Sequence, residues 1–117
     1  MTKAELNDAV AVGVMGWHKY TDGILRTWWI GAEGQRHTLV ELWNPCQDWA
    51  HTGMVLDRMT ELGWFYSFQQ MAAGKETVAG SEVCFYTKAK ATVHGNFYPG
   101  TPIKEAICRA ALEAVKG

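Results

Sequence analysis

Three observations in the sequence predict an α+β fold in the order α-β-β-α-β-β-α. In that fold a mostly antiparallel four-stranded sheet carries helices on both faces. Helical periodicity bounded by capping residues occurs near both ends and in the middle of the chain. Runs rich in aromatic and β-branched residues fill the intervals, two before the central helix and two after it. The 117 residues make one domain, 1–117, able to bury roughly two-thirds of its unfolded surface without disulfide or metal support.

Thr2-Lys3-Ala4-Glu5 is a capping box, and Leu6, Val10 and Val14 recur behind it at helical spacing. Gly16 supplies the left-handed stop. His18 to Gly23 reads as a polar connection ending in an Asp22-Gly23 turn. Ile24 to Ile30 and Arg36 to Trp43 read as the strands of a hairpin. Alternation places Leu25, Trp29, Val40 and Leu42 on one face and Arg26, Trp28, His37, Glu41 and Trp43 on the other. A one-residue slip would exchange these faces. The central helix opens with Asn44 as N-cap, Pro45 in the first turn and Gln47 reaching back to the cap. It runs to about Leu62, with Trp49, Val55, Leu56, Met59 and Leu62 as its stripe and Gly63 as its stop.

Trp64 to Phe68 reads as the third strand and Glu82 to Val93 as the fourth, with His94 to Gly100 as a loop. Thr101-Pro102 opens the last helix, whose Ile103, Ile107, Ala110, Ala111 and Ala114 form a stripe. So many alanines imply close approach to a neighbour, most simply the sheet.

Composition excludes several classes. Hydrophobic residues make up 48%, charged residues 20%, and the formal net charge is −1. These values leave no basic surface for a long nucleic acid, and no apolar run approaches the ~20 residues of a membrane span. The polar N-terminal residues lack a signal-peptide core, and Cys46, Cys84 and Cys108 are separated and odd in number, as in a reducing cytosol. Six tryptophans are too many to serve only as core filler. They imply apolar area left over for a homo-oligomer.

No P-loop, GxGxxG, HExxH or GxSxG pattern is present. Asp48 and His51 are spaced to share a hydrogen bond, although Asp48 also serves as a first-turn charge on the helix dipole. Cys46 with His51, and Cys84 with His94, lack accepted metal-ligand spacing. Neither an enzymatic activity nor a cofactor is expected. The better lead is a face mixing cations with rings: Arg26, Trp28 and Trp43 from the hairpin, with Tyr86, Lys88 and Lys90 from the fourth strand. Such a surface suits a small anionic aromatic ligand of nucleotide type, stacked on a ring with its phosphate on the cations.

Val14-Met15-Gly16-Trp17, Asn44-Pro45 leading to Asp48-Trp49, Leu62-Gly63-Trp64 and the closing Ala106-Ile107-Cys108-Arg109-Ala110-Ala111-Leu112 together resemble the phage ABA sandwich domain family. The Pro45-Cys46-Gln47 run departs from the Ser- or Thr-rich stretch common in that family. The resemblance implies a small phage or prophage protein in the cytoplasm of a bacterial host, with a sheet layered between helices and no assigned catalytic residues. In that setting a binding module would sequester a host nucleotide-type signal and blunt host defence. The alternative is action purely through protein–protein contact.

Overall fold

The computed structural model describes residues 1–74, 78–87 and 93–116, the side chains at 93 and 94 excepted. The elements run α1 (Lys3–Gly13), β1 (His18–Thr21), β2 (Thr27–Ile30), β3 (Arg36–Leu39), a 3-10 turn (Val40–Leu42), α2 (Trp49–Glu61), β4 (Trp64–Met71), β5 (Gly80–Thr87), β6 (Val93–Pro99) and α3 (Ile103–Lys116). The α+β class holds. The single four-stranded sheet does not, because the strands form two antiparallel three-stranded sheets, β1-β2-β3 and β4-β5-β6, in a body of 56 × 33 × 21 Å.

Each sheet gained an edge strand that the sequence disguises. β1 is His-Lys-Tyr-Thr, exposed at every position, so it carries no apolar alternation. It pairs with β2, Tyr20 standing opposite Trp28. β6 contains Gly95, Asn96 and Pro99, residues that signal turns but are tolerated on an edge strand. Of the predicted fourth strand, residues 88–92 lie outside the described residues.

Alternation on the second sheet is regular. Tyr66, Phe85, Phe68 and Val83 point to the helices, with Phe85 and Val83 fully buried. Phe65, Tyr86 and Phe97 point away, each 39–47% exposed. All helix contacts fall on the inner face, so helices on both faces are replaced by helices on one, among the described residues.

α3 ties the layers together. It touches β4, β5, β6, α1 and α2, and its Ile107, Cys108, Ala106 and Ala111 are fully buried. α1 approaches α3 closely at Gly13, where a Cβ would lie 2.9 Å from Leu112 Cδ1. Asn96 Nδ2 and the Tyr98 hydroxyl both donate to Glu113, at 2.7 and 3.1 Å, and pin α3 to β6.

The central helix starts later than expected. Asp48 is its N-cap, accepting from the Ala50 amide at 2.8 Å, and Asn44 heads the preceding turn by accepting from the Gln47 and Asp48 amides. Asn44 is diverted to long-range work. Its backbone N–H donates to His51 Nδ1 at 2.9 Å, and its side chain accepts from Asn7 at 3.2 Å. The Asp48–His51 pairing is therefore not formed. The stop at Gly63 is left-handed, with φ 92°.

Candidate functional site

The hairpin β2–β3 and its preceding loop build a polar cluster in which one carboxylate, Asp22, accepts four hydrogen bonds. Asp22 closes that loop as an Asx-type cap. Its carboxylate accepts from the Ile24 and Arg26 amides at 3.0 Å each, from Arg26 Nε at 3.3 Å and from the Trp28 indole N–H at 2.9 Å. The side chain is 9% exposed. The indole donor, then the Arg26 amide, hold its pKa down at about 2, below the ordinary 3.8. The tight loop forces Leu25 to φ 63°, unusual for a side chain with a Cβ. It leaves Ile24 and Leu25 pointing outward, 70% and 85% exposed.

Trp28 is thereby fixed at its polar edge while both guanidinium groups of the hairpin lie against its ring. Arg26 is 5.3 Å and Arg36 5.1 Å from the ring centroid, and Arg36 also lies 6.0 Å from Tyr20. The result is a ladder of alternating cations and rings, half exposed, with geometry typical of cation–π attraction. Arg26 is neutralised by Asp22, whereas Arg36 forms no ion pair among the described residues.

The clamp has a pH signature. Because the folded-state carboxyl is more acidic than usual, its contribution to hairpin stability is complete above 3.8 and drains away as pH falls toward about 2. The indole N–H resonance of Trp28 is expected to titrate with this carboxyl, holding its position above 3.8 and reaching the midpoint of its move toward a solvent-exposed value at about 2.

Of the described residues expected to form one face, the fold brings together only Arg26 and Trp28. Trp43 lies beyond the 3-10 turn, 3% exposed, where its indole N–H donates to the Asn7 carbonyl at 3.0 Å and its ring meets Trp17 and His51. It is core. Tyr86 belongs to the other sheet, stacked at 5.7 Å on Phe65 of its outer face. Lys88 and Lys90 lie outside the described residues. Conversely, a register shift between Trp29 and Ile30 puts Arg36 opposite Ile30, on the Trp28 face, while His37 turns away to stack on Trp17 at 4.5 Å. Asp22, Tyr20 and Arg36 are the members that sequence alternation missed. The spacing Asp22–Arg26, an i,i+4 ion pair at 3.3 Å, was the one available signal.

A cavity of about 560 Å³ opens behind this hairpin, lined by Trp17, His37, Glu33, Asp57, Arg58 and Glu61 among others. Arg58 is already engaged by the Val14 carbonyl at 3.2 Å and Glu61 at 3.3 Å. The surplus carboxylates make it a poor receptor for a phosphate. Elsewhere, Cys46 and Cys108 are buried against one another. A hydrogen bond from Cys108 lowers the Cys46 thiol's pKa, and the same bond, with burial, raises that of Cys108. Among the described residues no three His, Cys, Asp or Glu side chains are grouped to hold a metal, and no helix is long and apolar enough to cross a membrane. Comparison with protein families, with curated proteins and with solved structures finds no match to this chain.

Proposed function

We propose that the chain is a non-enzymatic binding module that takes a small planar anion of nucleotide type on the Tyr20–Trp28–Arg36 face. On the family resemblance, it would serve a phage inside a bacterial host by sequestering a host signal. One observation carries the reading: Trp28 is held at its edge by Asp22 and flanked by two guanidinium groups, of which Arg36 has no carboxylate partner among the described residues. A ring fixed before the ligand arrives loses little entropy on binding. A base stacking beside it gains about 1–3 kcal/mol, and the Arg36 fork matches a phosphate edge.

The test is a nucleotide panel read by melting shift, followed by calorimetry on any ligand that shifts the parent. Arg36→Ala is expected to weaken binding at least tenfold and to flatten its salt dependence, while melting as the parent does. Trp28→Phe keeps a ring but drops the indole N–H and should bind more weakly. Arg36→Ala protein that melts normally and binds undiminished would sink the proposal.

A second reading has its own observation. Ile24 and Leu25, held outward beside the ladder at 70% and 85% exposure, suit an apolar protein partner better than a nucleotide. A panel that leaves the parent's melting unmoved by every nucleotide would put this reading first.

A further inference from the structure

β4 occupies one edge of the second sheet, so from Phe65 onward the outward-pointing N–H and C=O groups of that edge meet no further strand among the described residues. Edge strands of soluble proteins are ordinarily protected by shortness, lysine, proline or a bulge. The other edges here follow that rule: β1 and β3 have 4 residues each and include Lys19 and Arg36, and β6 ends at Pro99. β4 has none of these. Its 8 residues, Trp-Phe-Tyr-Ser-Phe-Gln-Gln-Met, include no charge, proline or glycine. Its register with β5 runs from Trp64 to Met71 without a shift. Phe65 to Gln70 are exposed at every position, so the helices that touch the inner face of β4 leave it open to solvent among the described residues.

We propose that two copies of this chain associate through β4, antiparallel, making one continuous six-stranded sheet. Geometry limits how they meet. Antiparallel neighbours related by a two-fold share their sheet faces only when the axis stands perpendicular to the sheet, which requires paired residues of like parity. Centring the axis on Ser67 keeps Phe65 through Gln69 in the ladder. Ser67 then faces the partner's Ser67 on the outer face, and Tyr66 faces the partner's Phe68 on the helix-bearing face. Symmetry makes that aromatic pair twice.

Charge argues for a second copy as the occupant. With no charged residue in β4, self-pairing opposes no like charges at any register, and a foreign peptide would find no ionic group to select it. Area argues likewise. Phe65, Tyr66 and Phe68 are 47%, 38% and 38% exposed. At about 200 Å² per ring residue they contribute roughly 250 Å² of the ~800 Å² per partner that a stable interface needs. Trp49, 49% exposed and 6.4 Å from Phe68, with Ser67, Gln69 and Gln70, extends the strip. This gives the self-association expected from leftover aromatic area a specific seat, and that seat is not chiefly tryptophan. It does not rest on the ligand face, which lies on the other sheet.

Sedimentation at tens of micromolar is expected to give twice the 13.1 kDa chain mass. Ser67→Lys sets two ammonium groups face to face at the axis and should weaken association at least tenfold, while leaving any nucleotide affinity, and the melt at dilutions where the parent is monomeric, unchanged. Ser67 stands opposite Cys84 within the sheet, so the cross-linking variant is Ser67→Cys with Cys84→Ser. On oxidation it should form a disulfide-linked dimer, whereas Gln69→Cys with Cys84→Ser should not. A 13.1 kDa species at hundreds of micromolar would overturn the proposal, as would a dimer indifferent to Ser67→Lys.

Discussion

Replacing Trp43 by alanine is expected to cost about 3–5 kcal/mol of folding stability, read as a lowered midpoint in chemical denaturation. Two losses combine. The side chain is 3% exposed and packs edge-on against Trp17, with ring centroids 4.8 Å apart, so its removal leaves a cavity between α1, the first sheet and the turn before α2. Its indole N–H also satisfies the Asn7 carbonyl, and Asn7 in turn holds the Cys46 amide and the Asn44 side chain at 3.2 Å each. Trp43→Phe separates the terms: it restores most of the volume and should recover more than half of the stability. A Trp43→Ala loss below about 1 kcal/mol would show that the site collapses around the deletion instead of leaving a hole.

Ile107→Ala is expected to cost about 2–5 kcal/mol by the same measurement. The residue is fully buried near the middle of α3, a helix in contact with every strand of the second sheet and with both other helices. A void there has walls on several elements, none of which can close it alone, so the expected loss sits toward the upper end of that range. The same substitution at the exposed Val12 of α1 should be nearly silent, and comparing the two isolates packing from helix propensity.

How much was legible depended on whether local chemistry had competition. The α1 capping box formed as read, with both reciprocal bonds between Thr2 and Glu5 at 3.0–3.1 Å, because those residues face only solvent and each other. Asn44 failed as a cap because Asn7 and His51 bid for the same groups across the fold, and no local spacing records that. Trp49 sits on the helical stripe yet is half exposed, lying under Lys104 at 5.3 Å, because α2 reaches past the core at its first turn. In the candidate site, Arg26 with Trp28 was readable from alternation along one strand. Arg36 was hidden by a register shift of one residue, and Trp43 was misplaced because the strand ends at Leu39 and a 3-10 turn intervenes.

The place of α3 in chain order has a consequence for the timing of folding. Both sheets precede it, yet Val83 and Phe85, fully buried in the finished molecule, lie on the sheet face that α3 covers. Until that helix emerges, the second sheet presents that inner face and an unguarded, uncharged β4 edge together. The native contacts between α1 and α3 join the two ends of the sequence, and folding is expected to be slower than the chain's helical content alone would set. Misassembly competes in that interval, and a late-arriving helix whose alanines dock against a sheet already formed is what brings it to a close.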